Sequence, residues 1–190
     1  MLTAEHIVLL NALRKGPVGR VFLSGAFRMG EGKVRKILNE LKEYGLIKSS
    51  KAGHYISKKG EDFLREIERD YLKITRRLSI TVLNWTHAVE GIIRRRALRS
   101  PVSKDGMVER DLMVRNGALG AIVSVYRDGE ARLPDTGIPL TKAIPGYSYD
   151  DVIRDMREGD LLVIVSGESF YMAMYALVKG ALMMMGDVIL

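Results

Sequence analysis

Residues 29–46, MGEGKVRKILNELKEYGL, decide the fold that we expect for the N-terminal part of this chain of 190 residues. Their apolar side chains recur at intervals of three and four, which is the spacing that lines up one face of a helix. This apolar seam consists of Val34, Ile37, Leu38 and Leu41. The other side of the helix carries Gly32, Lys33, Arg35, Lys36 and Asn39, with Glu43 near its end. A helix that buries one face and offers small, basic and amide side chains on the other suits a DNA major groove.

The neighbouring segments predict two helices before this one and a hairpin after it. Residues 4–15 predict a first helix, which Thr3 caps. Residues 19–27 predict a short second helix, whose inward face consists of Val21, Phe22 and Phe27. Two short strands follow, over residues 46–49 and 54–57. The predicted order is therefore helix, short helix, turn, helix and hairpin.

A fourth helix is predicted over residues 58–78, with Ser57 as its cap. Its apolar residues repeat at intervals of three and four, and they are Leu64, Ile67, Tyr71, Ile74 and Leu78. Two interpretations of this seam stay open. It packs on the chain's own second domain, or it pairs the two subunits of a homodimer.

From residue 78 onward, strand patterns and helix patterns alternate. Residues 79–85 and 87–93 are predicted to form one or two strands, and further strands are predicted over residues 121–126, 130–133 and 160–165, with a turn at Asp128 and Gly129. The predicted helices cover residues 108–116, 149–157 and 169–185, and residues 134–147 are expected to form a loop. Such alternation is typical of an α/β or α+β domain.

The run VRKILNELKEYGLIKSSKAGHYISKKGEDFL, residues 34–64, resembles the winged helix-turn-helix transcriptional regulators. The resemblance covers about residues 3–70. It implies that residues 31–44 enter the major groove as a recognition helix, and that residues 49–54 form a wing against phosphates or the minor groove. Gly32 departs from the pattern because it offers no side chain to a base, although it would allow a close approach of the backbone.

The second half is similar to the C-terminal domain of a group of archaeal winged-helix regulators, whose role is poorly defined. The similarity covers about residues 87–185 and rests on the strand AIVSVY, the hairpin DGEARLP and the run GDLLVIVS. It implies an N-terminal DNA-binding domain joined to a C-terminal regulatory domain, and it does not identify a ligand.

The distribution of charge separates the two halves. The formal net charge is +7, and residues 1–70 hold 14 Lys and Arg against 9 Asp and Glu, whereas residues 111–190 hold 7 against 11. This asymmetry is typical of a part that binds a polyanion joined to a part with another task. The apolar runs at residues 161–165 and 169–185 are each short for a membrane span of about 20 residues. We therefore expect a nucleic-acid partner and no membrane.

Several functional classes find no support in the composition. The chain has no cysteine, and its histidines, His6, His54 and His87, are far apart, so we expect no metal and no cofactor. The first residues show no signal-peptide pattern, which predicts a cytoplasmic protein. No GxxxxGK[ST], GxSxG or HExxH motif is present. We therefore expect a protein that is not an enzyme.

Seven residues are predicted to contact DNA. They are Lys33, Arg35, Lys36 and Asn39 in the recognition helix and Lys48, Lys51 and His54 in the hairpin. Arg35 and Asn39 are the natural readers of bases, since arginine pairs with guanine and asparagine with adenine. The lysines and His54 would hold phosphates. The alternative is an ordinary solvated surface.

Five residues of the second domain are predicted to bind an effector. They are Arg110, Asp111, Ser166, Glu168 and Ser169. The prediction rests on the rule that ligands of open α/β sheets gather beyond the carboxyl ends of the strands, where a helix N-terminus can hold an anion. The alternatives are that Ser169 merely caps the last helix and that Arg110 and Asp111 belong to a surface ion cluster.

We therefore predict an α+β chain of two domains. Residues 1–77 would form a winged helix-turn-helix domain with an extended last helix, and residues 78–190 a smaller α/β sheet domain with flanking helices. The predicted function is that of a homodimeric transcriptional regulator that binds specific double-stranded DNA under the control of a small effector or of dimerisation. Two alternatives are a small-molecule enzyme in the C-terminal domain and a winged helix that binds protein.

Overall fold

The computed structural model describes residues 2–186 and divides the chain into two compact units, with the boundary between Glu68 and Arg69. The predicted α+β class with two domains is confirmed. Residue 1 and residues 187–190, at the outer ends of the two predicted domains, lie outside the described residues. Among the described residues, no helix has both the length and the hydropathy needed to cross a bilayer.

The N-terminal unit consists of helices and one hairpin. Its elements are α1 (Ala4–Ala12, followed by a 3-10 turn, Leu13–Lys15), α2 (Arg20–Ala26), α3 (Glu31–Glu43), β1 (Ile47–Ser50), β2 (Gly53–Ile56) and α4 (Lys58–Asp70). The apolar seam of α3 is buried as predicted, and it joins Leu9, Leu10, Leu23 and Leu64 among the most deeply buried side chains. Burial of this seam is what holds α3 in the unit, because apolar area removed from water supplies most of the stabilisation.

The inward face predicted for α2 is wrong at two of its three positions. Val21 and Phe22 are 68% and 52% exposed, whereas Leu23 and Phe27 are buried. The helix begins at Arg20 and has only seven residues. Because residues four apart share a helix face, Leu23 and Phe27 face the core together and the side of Val21 and Phe22 is left in solvent.

The hairpin is held to the chain before α2 by an additional backbone pairing. Strands β1 and β2 are antiparallel, and the His54 N–H donates to the Val18 carbonyl at 2.9 Å while the Val18 N–H donates to the His54 carbonyl at 2.8 Å. Gly53 makes this possible. Its φ is +129°, and a Cβ atom there would lie 2.7 Å from the Val18 backbone, so no other residue fits.

The helix predicted over residues 58–78 is wrong beyond Asp70. Helix α4 ends at Asp70, and the edge strand β3 (Leu72–Ile80) begins two residues later. Residues 72–80 pair with the next strand, and the β-branched Ile74, Thr75 and Ile80 favour this extended state. The predicted seam from Leu64 to Leu78 therefore does not lie on one helix, and a homodimer cannot pair along it in that form.

The C-terminal unit is a five-stranded antiparallel sheet with a layer on each face, and its strand order is β3-β4-β7-β5-β6. Its other elements are β4 (Trp85–Ile93), α5 (Met107–Arg115), β5 (Gly120–Arg127), β6 (Glu130–Arg132), α6 (Leu140–Ala143), α7 (Asp150–Ile153), β7 (Leu161–Ser166) and α8 (Phe170–Met184). Short 3-10 turns at Thr81–Leu83 and Arg95–Ala97 flank β4. The strand predicted over residues 79–85 is therefore wrong at residues 81–84, where the chain turns between β3 and β4 to pair them as antiparallel neighbours. Most predicted elements after residue 87 are confirmed in type, and α6 falls within the predicted loop.

The two faces of this sheet are covered differently. Helix α8 covers one face, where a Cβ atom on Gly91 of β4 would lie 3.1 Å from Leu177, and α5 packs on α8 through Met113 and Gly180. The segment that carries α6 and α7 covers the other face and buries Leu140, Tyr149 and Val152 against it. The unit starts at Arg69 because β3 belongs to this sheet, so the C-terminal domain is the larger one rather than the smaller.

Candidate nucleic-acid interface

A tight turn sets the start of α3. The Met29 N–H donates to the Ser24 carbonyl at 3.0 Å, and the Ser24 hydroxyl donates to the Met29 carbonyl at 2.5 Å. Between them, Arg28 takes a left-handed conformation with φ +50°. This conformation costs a residue other than glycine roughly 1 kcal/mol. The turn closes α2 and aims the N-terminus of α3 outward.

The outer face of α3 carries Arg35, Lys36 and Asn39, all exposed. Arg35 and Asn39 are four residues apart and therefore point the same way. Neither side chain has a hydrogen bond or an ion pair with any residue from 2 to 186. Lys36 is 78% exposed and lies 3.8 Å from the Glu40 carboxylate, a pairing that contributes little in water. These three side chains are therefore available to a partner.

Lys33 is engaged within the unit instead. Its Nζ lies 2.8 Å from Oε1 of Glu5, whose side chain is only 9% exposed. A second contact joins the same two helices, since Nε2 of His6 lies 2.7 Å from Oε2 of Glu40. Both contacts fix α3 against α1. A phosphate contact by Lys33 would have to compete with the Glu5 carboxylate.

The hairpin presents Lys48 and Lys51 to solvent, but His54 is half-buried. Its Nδ1 lies 3.0 Å from the Ser49 hydroxyl. The pKa of His54 is lowered, first by burial and then by the positive charges of Lys42 and Arg20. This environment disfavours the protonated, positively charged form of His54.

The electrostatics of His54 also identify two cations that the sequence analysis did not select. Lys42 and Arg20 lie close enough to its ring to lower the pKa, and both are exposed. Arg20 starts α2 and lies 3.6 Å from Glu31, whereas Lys42 is in the last turn of α3. The clustering of basic residues between 14 and 51 was the available signal, but their meeting at the hairpin depends on the fold.

Comparisons with known proteins place the chain in a family. Residues 88–184 match the family described as "Domain of unknown function (DUF4443)". The chain belongs to the DUF4443 family. Residues 3–62 also match the domain described as "PH0730-like, N-terminal domain". No curated protein matches the chain.

One solved structure shares the whole architecture of this DUF4443 protein. The "Hypothetical protein PH0730 from Pyrococcus horikoshii OT3" is 23% identical, with a TM-score of 0.75 over 100% of this chain and 96% of that chain. At this identity the similarity concerns the fold. This structural neighbour comes from an archaeon, as the predicted resemblance to archaeal proteins would lead one to expect.

Within the DUF4443 region, two of the three residues predicted at the strand ends, Ser166 and Ser169, make structural hydrogen bonds. The Ser169 hydroxyl accepts the Met172 N–H at 3.2 Å and so caps α8. Ser166 is buried at the end of β7, where its carbonyl accepts the Leu119 N–H at 2.8 Å. Glu168 is exposed. All strands of the sheet are antiparallel, so the rule for parallel sheets on which the prediction rested does not apply here.

Arg110 and Asp111 are exposed on α5 and do not join Ser166, Glu168 and Ser169 in one site. Their neighbours on α5 instead line a cavity with Met183 and Met184, which are the last residues of α8. Ser166, Glu168 and Ser169 lie just before the start of α8, whereas this cavity lies at its end. The two ends are about 20 Å apart at the usual rise per residue. We call this space the α5–α8 cavity, and it was not predicted.

Proposed function

We propose that the N-terminal unit of this DUF4443 protein is a winged helix-turn-helix module that binds double-stranded DNA, and that the chain regulates transcription. In this proposal α3 enters the major groove and the β1–β2 hairpin is the wing. The observation that carries it is the outer face of α3, where Arg35, Lys36 and Asn39 are exposed and Arg35 and Asn39 have no partner among residues 2–186.

Each of these side chains has a distinct task in the proposal. Arg35 donates two hydrogen bonds to a guanine edge, and Asn39 pairs with an adenine on the same face of the helix. Lys36, together with Lys48 and Lys51 in the wing, neutralises phosphates. Lys33 takes a lesser part because its ammonium is already bound to Glu5.

The electrostatics of the hairpin support the same surface. Burial is the main cause of the lowered pKa of His54, and the charges of Lys42 and Arg20, which lie next to the wing, add to it. A positive potential beside an exposed basic helix attracts the phosphate backbone over a distance of about 10 Å at 0.1 M salt. This term gives affinity without sequence preference, so the specificity rests on Arg35 and Asn39.

Selection of bound duplexes from a random pool, followed by titration of the selected site at increasing salt, tests the proposal. Arg35→Ala and Asn39→Ala should each cost about 1–3 kcal/mol on the selected site and much less on random DNA. Lys36→Ala should weaken binding to both and reduce the salt slope by about 1. Lys33→Ala should cost less than Lys36→Ala.

Arg65→Ala is the matched control, since Arg65 is an exposed cation of α4 that pairs with Asp62. It removes one positive charge from the same unit and should leave affinity and specificity nearly unchanged. Binding that does not respond to salt, or equal losses for Arg65→Ala and Arg35→Ala, would refute the proposed interface.

Regulation is assigned in this proposal to the C-terminal unit, through a small effector or through formation of a homodimer. A dimer would present two copies of α3 to a pseudo-palindromic site, with half-sites about one helical turn apart. Sedimentation equilibrium of the full chain, with and without the selected duplex, tests this part separately. A monomer bound to a single unrepeated site would refute it.

A further inference from the structure

The α5–α8 cavity has the size and the lining of a small-molecule site. Its volume is about 340 Å³, and its apolar walls include Leu98, Val108, Leu112, Met183 and Met184. Pockets for small ligands begin near about 300 Å³ and are lined mainly by apolar side chains with a few polar groups. Val108 and Met183 are 60% and 41% exposed at its rim, although both are apolar. Exposing this apolar surface to water is unfavourable, and a ligand that covers Val108 and Met183 would remove it from water.

The same cavity is lined by two opposite charges that do not pair with each other. The Arg99 backbone N–H donates to the Met184 carbonyl at 3.2 Å, which holds this residue against the end of α8. Its guanidinium, however, has no ion pair and no hydrogen bond within residues 2–186. Its N–H donors are therefore left, within the described part of the chain, to water or to a molecule that enters the cavity.

Glu109 supplies the negative charge and is only 7% exposed. Its Oε1 accepts the Ser103 N–H at 2.9 Å, and its Oε2 accepts the Ser103 hydroxyl. No cation lies within 4.0 Å of this carboxylate in the described part of the chain. Each oxygen keeps acceptor capacity, and a buried carboxylate without a cation is unfavourable.

We infer that the α5–α8 cavity binds an apolar α-amino acid in its zwitterionic form. The ligand carboxylate pairs with Arg99, the ligand ammonium pairs with Glu109, and the apolar side chain lies against Leu112 and the two methionines. A simple carboxylate would satisfy Arg99 but would face the Glu109 charge, and a simple amine would do the reverse. A zwitterion satisfies both charges with a single ligand.

Calorimetric titration of the full chain with L-leucine tests this inference without any DNA, so its outcome is independent of the proposed function. Two analogues isolate the charges: 4-methylpentanoate lacks the ammonium, and 3-methylbutylamine lacks the carboxylate. L-leucine should bind at least about tenfold more tightly than either one, because each lost contact is a hydrogen bond between charged groups.

Variants identify the site. Arg99→Gln should weaken L-leucine binding about tenfold or more and should strengthen binding of 3-methylbutylamine, because it removes a charge that repels the amine. Glu109→Gln should likewise weaken L-leucine binding about tenfold or more and should strengthen binding of 4-methylpentanoate. Arg99 is exposed, so its variant keeps the fold and carries the test even where the buried Glu109 variant is unstable. Arg110→Gln is the matched control, since Arg110 is on the same helix but does not line the cavity.

Three results would overturn the inference. The first is no heat of binding with L-leucine up to its solubility. The second is equal affinity for L-leucine and 4-methylpentanoate, which would make the cavity a site for simple anions. The third is an equal loss of affinity in the Arg110 and Arg99 variants, which would locate the ligand elsewhere.

Discussion

Replacing Glu90 by glutamine should lower the free energy of unfolding of the C-terminal unit by about 2–3 kcal/mol. Glu90 is on β4, which lies between the edge strand β3 and the central strand β7, and its side chain is completely buried. It accepts hydrogen bonds from Arg76 Nε at 3.0 Å, from Arg76 Nη2 at 3.1 Å and from the Thr75 hydroxyl at 2.6 Å. The Tyr147 hydroxyl also donates to it and ties the segment before α7 to the sheet.

The magnitude follows from the burial of the two partners. Removing one member of a buried ion pair costs about 3–5 kcal/mol, because the other charge is left in a poorly solvated place. The Arg76 side chain is 32% exposed, so water compensates part of its lost partner. Glutamine has the same shape and still accepts at one oxygen, which retains roughly 1 kcal/mol of hydrogen bonding. These two corrections bring the expected loss to about 2–3 kcal/mol.

Urea unfolding followed by tryptophan fluorescence measures this loss in the correct unit. Trp85 is the single tryptophan of the chain, and it packs against the buried cluster on the same face of the sheet as Glu90. Glu130→Gln is the matched control, because Glu130 pairs with Arg132 on the surface and should change the stability by no more than about 0.5 kcal/mol. A Glu90→Gln protein as stable as the control variant would refute the reasoning.

Three further outcomes are expected. Burial, and then the charge of Glu90, raises the pKa of Tyr147 above its ordinary value of 10.0. The folded state therefore favours the neutral phenol, and the free energy of unfolding should decline as the pH rises above about 10. In urea titrations at several pH values, Tyr147→Phe should make that decline of stability shallower than in the unchanged protein, and an unchanged slope would contradict the reasoning. A Cβ atom on Gly60 would lie 2.1 Å from the Leu46 carbonyl, so Gly60→Ala should destabilise the N-terminal unit by about 2 kcal/mol or more in thermal melts followed by circular dichroism. Gly32 has nothing within 4 Å of its Cβ position, so Gly32→Ala should instead stabilise the unit by about 0.5 kcal/mol, and a similar loss in both variants would argue against the packing assigned to Gly60.

Local patterns predicted the elements whose environment is set by near neighbours. The seam of α3 from Val34 to Leu41 is buried as its spacing indicated, and the two strands of the hairpin are present. The apolar run that became β7 is completely buried, and Ser169 caps α8. In each case the signal lies within one turn, one strand or one cap, so a single short segment contains it.

Local sequence patterns did not predict the structure where a residue could bond either to near neighbours or to a distant part of the chain. Residues 72–80 continue a helical spacing, yet they pair with β4 because the sheet offers hydrogen bonds that an isolated helix end does not. The ion pair of Lys33 was not predicted either, because its partner Glu5 lies 28 positions earlier in the chain. No local signal distinguishes these outcomes, since each depends on a contact between distant parts of the chain.

The sequence by itself therefore determined the buried face of α3, the turn of the β5–β6 hairpin, the cap of α8 and the basic character of the first 110 residues, because these depend on side chains only a few positions apart. The tertiary structure alone decided the antiparallel strand order, the burial of Glu90 beneath Tyr147, and the meeting of Arg99 and Glu109 at the α5–α8 cavity. The physical reason is that strand partners and buried charges are chosen by long-range packing and desolvation, which residue types along one segment do not encode.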